Sequence, residues 1–104
     1  DRKKDMILTA GYNVYPAEIE RVVAGHPDVA LVAVGSIPDL EKGELAKAYI
    51  VPKTGTQPDT ENVIAYCREH LAAYKVPRAV QFVDDLPKTS TGKVMRRELK
   101  KLDK

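Results

Sequence analysis

A chain of 104 residues that is 43% hydrophobic and 31% charged has the length and composition of one globular domain with a modest core of its own. No apolar run approaches the roughly 18 to 20 residues that a membrane helix needs, and no signal peptide is visible. The formal net charge is only +2, and the single cysteine, Cys67, argues against a disulfide framework and for a reducing, cytoplasmic setting.

Taken in order, residues 6–15 read as a short hairpin turning near Ala10 and Gly11, where glycine admits positive φ. Pro16 suits the first position of a helix. Ile19, Val22 and Val23 give that helix an apolar face, Glu18 and Glu20 favour the positive end of its dipole, and Gly25 ends it ahead of Pro27. Residues 29–34 are almost wholly apolar and rich in valine, which predicts a central strand covered on both faces, with residues 45–51 as its partner. Residues 38–44 and 52–59 read as exposed turns. Asp59 or Thr60 caps a second helix that turns Val63, Ile64, Cys67 and Leu71 inward, and residues 74–77 break it before a strand over 80–83. His26 and His70 have no metal-ligand spacing around them and read as structural, Cys67 reads as a small buried hydrophobe, and no metal site is expected. The expected fold class is α+β: a small domain with a short sheet of about three strands, flanking helices and an N-terminal two-stranded hairpin.

Chemistry concentrates at residues 86–99, Leu-Pro-Lys-Thr-Ser-Thr-Gly-Lys-Val-Met-Arg-Arg-Glu-Leu. Pro87 stops a preceding strand, three hydroxyl residues offer local backbone bonds, and Gly92 permits a tight turn that sets Lys93 at the loop tip. From Met95 the pattern is helical, with Met95, Leu99 and Leu102 inward and Arg96, Arg97, Lys100 and Lys101 in water. A phosphate-cradling Walker A loop would need a glycine at 87 and a hydroxyl at 94, where Pro87 and Val94 stand instead. From residue 88 to the end there are seven Lys or Arg against two acidic residues, and Arg2, Lys3 and Lys4 add positive charge at the start. Such clusters meet polyanions, but interleaved aromatics and groove-reading motifs are lacking, which argues against nucleic acid.

Residues 86–99 resemble the last core motif of the adenylate-forming enzymes, the superfamily of acyl-CoA synthetases, peptide-synthetase adenylation domains and firefly luciferase. Residues 1–7 together with 11–20, Gly-Tyr-Asn-Val-Tyr-Pro-Ala-Glu-Ile-Glu, are similar to that family's hinge motif and the hairpin and helix after it. The wording of both is closest to fatty acyl-CoA ligases.

The resemblance implies that residues 1–104 are the single mobile C-terminal domain of such an enzyme, with residues 1–5 as hinge segment and an ATP- and acid-binding N-terminal domain ahead of them. The whole enzyme would join a carboxylic acid to ATP and pass the acyl group to coenzyme A, with Mg2+ accompanying ATP and held mainly by the N-terminal domain, while this chain alone would be inactive. Carried over by position, Lys93 matches the adenylation lysine, Arg2 an arginine on the nucleotide ribose, and Lys4 the hinge. Gly11 matches a glycine lining the pantetheine tunnel, Tyr74 an aromatic near the adenine of coenzyme A, and Arg68 and Arg78 stand where they can reach its phosphates. A lysine acetyltransferase acting on Lys93 is a further implied partner. The alternatives are a domain of the same fold that loads a carrier-protein thiol, and a non-catalytic interaction module.

Overall fold

The structure, a computed structural model, describes residues 6–103. The hinge segment 1–5, with the sequence assignments to Arg2 and Lys4, lies outside the described residues. Strands β1 (Ile7–Thr9) and β2 (Tyr12–Val14) form the N-terminal hairpin, paired Ile7 to Val14 and Thr9 to Tyr12. Ala10 and Gly11 take φ of 51° and 84°, the two positive values of a two-residue turn whose twist matches that of its strands. The Ala10 N–H then donates to the Lys42 carbonyl at 2.8 Å, and β1 pairs with β4 at Thr9 and Gly43, so the hairpin joins the main sheet.

Helix α1 (Pro16–Ala24) begins on the proline that sequence places there and buries Pro16, Ile19 and Val23. Strands β3 (Val29–Asp39) and β4 (Gly43–Pro52) form a long antiparallel pair, closed by an Asp39 carboxylate that accepts from the N–H groups of Glu41 and Lys42. Helix α2 (Thr60–His70) is capped by Asp59, whose Oδ1 accepts from the Asn62 N–H at 2.7 Å. A 3-10 turn (Ala73–Lys75) leads into β5 (Ala79–Phe82), which runs parallel to β4, and a 3-10 helix (Arg96–Leu102) ends the described chain.

The expected three strands and hairpin thus form one mixed sheet of five. Its centre is β4, with β3 on one side and β1 and β5 sharing the other. The valine-rich strand expected at the centre is therefore an edge, and only Ala33 and Val34 in it are covered fully on successive, opposite-facing positions. The alternation of β4 separates two cores. Ala46, Ala48 and Ile50 face α1 and α2 with Ile19, Val23, Val63 and Cys67, while Tyr49 faces the other way with Ala33, Leu86 and Leu99. Burial pushes the Cys67 thiol up to about 11, so it is an unreactive small hydrophobe. His26 is buried and structural too: its Nδ1 accepts from the Asp28 N–H at 3.0 Å, which leaves the proton on Nε2 for Asn62 Oδ1 at 2.6 Å.

The C-terminal segment departs from its expected form. It is 3-10 rather than α-helical, Leu99 alone in it is fully buried, and Arg96 is half-buried and ion-paired instead of solvated. Polar contacts hold its far end. Tyr49 donates from its hydroxyl to Asp103 Oδ1 at 2.5 Å, Lys47 Nζ reaches the same oxygen at 2.8 Å, and Gln81 Nε2 donates to the Leu102 carbonyl at 2.5 Å. Lys47 and Tyr49 hold the Asp103 carboxyl below the usual carboxylate range, while burial, reinforced by Asp103, holds the Tyr49 hydroxyl far above its ordinary value.

Two outcomes follow for stability. Leu99→Ala, which empties the centre of the second core, should cost roughly 3 kcal/mol in urea unfolding without changing the fold. Asp103 has a folded pKa below its unfolded one, so its contribution is present above the unfolded value and lost as pH falls through the folded one. The Tm gap between the native chain and Asp103→Asn should therefore be widest near neutrality and close as pH drops below about 4.

Candidate functional site

Lys93 sits on a tight, closed turn. Lys88 and Val94 bridge antiparallel, the Thr89 N–H donates to the Lys93 carbonyl at 2.8 Å, and the Gly92 N–H donates back to the Thr89 carbonyl at 2.9 Å. Gly92 has φ of 88°, a left-handed value that closes the turn without the strain a side chain brings. Thr89 Oγ1 accepts from the Lys93 N–H at 3.2 Å and lies 2.9 Å from Thr91 Oγ1, so of the three hydroxyls expected to bond the backbone locally Thr89 does so, and Thr91 meets Thr89 instead. The ammonium of Lys93 is exposed and has no side-chain partner among the described residues.

The turn is fixed at its base. Leu86 and Val94 pack with Tyr49 and Leu99 on one face of the sheet, and the Met95 N–H donates to the Pro87 carbonyl at 2.9 Å. Two residues on, Arg96 makes a bidentate pair with Glu20 of α1, Nη2 to Oε1 at 2.6 Å and Nε to Oε2 at 3.1 Å. Nothing in the sequence pattern joins these two residues, which are 76 positions apart. Arg96, Arg97 and Lys100 also line a groove of about 290 Å³ together with Met6, Glu44 and Tyr49.

A second grouping forms around the hairpin and α2. Arg68 and Arg78 line one cleft of about 460 Å³ with Ile64, Leu71, Val76 and Pro77, so two arginines named from the sequence are brought together. Arg78 also borders a neighbouring cleft of about 250 Å³ with Ala10, Tyr12, Lys42 and Tyr74. Tyr74 is partly exposed and stacks on Tyr12 at 4.4 Å between ring centroids. Tyr12 was not singled out from the sequence, although its place next to the hairpin glycine was the available signal. Beside Tyr74, Lys75 Nζ pairs with Glu18 at 3.0 Å, and that hydrogen bond raises its pKa. Gly11 needs its glycine for φ of 84°, and a Cβ built there would meet nothing within 4 Å, so open space lies in front of the hairpin tip.

The two groupings are distinct. The turn bearing Lys93 packs through Leu86 and Val94 on the sheet face of Tyr49, whereas α2, bearing Arg68, packs on the opposite face with Ala46, Ala48 and Ile50. Lys93 lines neither arginine cleft.

Residues 18–93 match the family described as AMP-binding enzyme C-terminal domain. The chain is 46% identical over 99 residues to a long-chain-fatty-acid–CoA ligase of Bacillus subtilis, covering 95% of this chain and 18% of that protein. It is 49% identical over 100 residues to a long-chain-fatty-acid–CoA ligase of Escherichia coli, covering 96% of this chain and 18% of the relative. Among solved structures it resembles a Mycobacterium tuberculosis fatty acyl CoA synthetase, with a TM-score of 0.92 and 42% identity over 98% of this chain and 20% of that one. The amide bond synthetase McbA from Marinactinospora thermotolerans is similar as well, with a TM-score of 0.90 and 39% identity, covering 98% of this chain and 21% of its own. The chain thus spans about a fifth of the length of the relatives it matches. With a family match over residues 18–93 and this fold around it, the chain belongs to the AMP-binding enzyme C-terminal domains.

Proposed function

We propose that this chain is the mobile C-terminal domain of a cytoplasmic, AMP-forming fatty acyl-CoA ligase. The observation that carries the reading is the exposed Lys93 ammonium, without a side-chain partner among the described residues, on a turn closed by its own backbone bonds, in a chain nearly half identical to long-chain-fatty-acid–CoA ligases. In the first step a substrate carboxylate oxygen attacks the α-phosphorus of ATP, an acyl–phosphate bond forms and pyrophosphate leaves. Two anions must approach, and a preorganised ammonium offsets their repulsion best where the second domain excludes water. In the second step the coenzyme A sulfur attacks the acyl carbon and AMP leaves.

The placement of Lys93 and the arginine clefts on different sheet faces supports a domain that presents one face per step, turning about Lys4 in the hinge 1–5. Arg2 in this reading contacts the ribose, the space before Gly11 admits pantetheine, Tyr74 lies beside the adenine of coenzyme A, and Arg68 and Arg78 meet its phosphates. Mg2+ accompanying ATP is assigned, on the family resemblance, mainly to the N-terminal domain. The exposed Lys93 is also open to a lysine acetyltransferase, which would remove its charge. The likeness to an amide bond synthetase favours a second reading, in which an acceptor other than coenzyme A takes the acyl group; product analysis with coenzyme A against amines separates the two.

In the intact ligase, Lys93→Ala should slow single-turnover acyl-adenylate formation by about 10²-fold or more. Thioester formation from preformed acyl-adenylate should change little. Equal losses in both steps would refute the assignment. Arg68→Ala with Arg78→Ala should raise KM for coenzyme A by about tenfold and leave KM for ATP unaltered. An unchanged KM for coenzyme A would remove the cleft from the reading.

A further inference from the structure

We infer that Glu20 is a positioning residue for Lys93, acting through Arg96; the inference rests on the reading of Lys93 given above. The Glu20 carboxylate accepts three N–H donors: the Val34 backbone at 2.9 Å and Arg96 Nε at 3.1 Å on Oε2, and Arg96 Nη2 at 2.6 Å on Oε1. Its side chain and that of Arg96 are 20% and 26% exposed, shielded enough for a bidentate charged pair to fix direction as well as distance. Val34 lies on the edge strand, so Glu20 occupies an N–H that no strand satisfies and ties α1, on one sheet face, to the chain that crosses to the other.

The core does not require this link. Ile19, Val23 and Val34 already seat α1 on β3, each fully buried. What Glu20 adds is a charged hold on the segment three residues after Lys93, in the downstream leg that the Lys88–Val94 bridge and the Met95 N–H to Pro87 carbonyl bond already join to the upstream one. Apolar contacts at Val94 and Leu99 hold the same segment down, and the bidentate pair adds a directional contact to them. Swinging the leg about Leu99 would carry the ammonium away from a reacting carboxylate, and misplacements of that kind are costly in an adenylation step.

The test uses the intact ligase carrying this chain. Glu20→Gln keeps the length and an oxygen for Val34 but removes the charge that grips Arg96. Adenylation in a single turnover should fall about tenfold, while thioester formation from preformed acyl-adenylate stays within about twofold. Amide hydrogen exchange should quicken in residues 88–95 and stay as it was in 60–70. Adding Arg96→Gln should bring no further loss, and Glu20→Gln on a Lys93→Ala background should change nothing, since all three lie on one line of action. Equal losses in both half-reactions, or full adenylation by Glu20→Gln where Lys93→Ala is impaired, would overturn the positioning role. If Lys93→Ala itself adenylates at the native rate, the reading of Lys93 fails and this inference falls with it.

Discussion

Strand β4 is covered on both faces, and that constraint organises the molecule. Successive residues of a strand point to opposite sides, so Ala48 and Ile50 need one apolar cover and Tyr49 another. Two helices supply the first. The second comes from an unusual source, a turn and a 3-10 helix that carry little apolar surface beyond Leu86, Val94, Leu99 and Leu102. The residues at 86–102 are therefore both the second core's lid and the carriers of the exposed cations Lys88, Lys93, Arg97, Lys100 and Lys101.

A lid with so few apolar contacts depends on directional bonds at its ends. Glu20 holds the start of its 3-10 helix through Arg96, and Asp103 holds its end through Tyr49 and Lys47. Each carboxylate is shared among several donors, which offsets the desolvation that a half-buried charge suffers. Close packing is also needed where space is short: at Gly35 a Cβ would lie 3.2 Å from Leu99 Cδ1, so the glycine lets the lid approach β3. Both carboxylates draw their partners from distant parts of the chain, so the lid forms only once helix, sheet and tail are assembled.

How much of this was legible in the sequence follows from the range of each signal. The hairpin turn at Ala10 and Gly11, Pro16 at a helix start, and the Asp59 cap depend on neighbours within a few residues, and all were read correctly. The rank of strands in the sheet depends on pairings dozens of residues apart, and there the valine-rich run misled. Its apolar character reflects packing at Val29, Ala33 and Val34, while Leu31 is exposed. Arg96 shows the same limit: its local setting among basic residues reads as solvated, and only the folded chain brings Glu20 to it. The turn that carries Lys93 was legible because a closing glycine and neighbouring hydroxyls are local chemistry, though a role for the lysine came only from the resemblance, whereas the shared cleft of Arg68 and Arg78 arises when the chain leaving α2 turns back to run beside β4.

The separation of the two cationic groupings has a simple physical reading. If the two groupings act as proposed, an ammonium facing a carboxylate and a phosphate works best with no competing anion nearby, and a cleft for a longer polyanion needs several donors spread over distance. Placing both on one face would let either ligand occupy the other's cations. The sheet prevents this, since the alternation of β4 sends the turn bearing Lys93 to one side and α2 with Arg68 to the other. On the proposed function, a domain built this way would exchange one charge environment for another by rotating as a body, with no rearrangement of its interior. On that reading its stiffness would matter as much as its charge, because slack in the lid would reach the turn that carries Lys93.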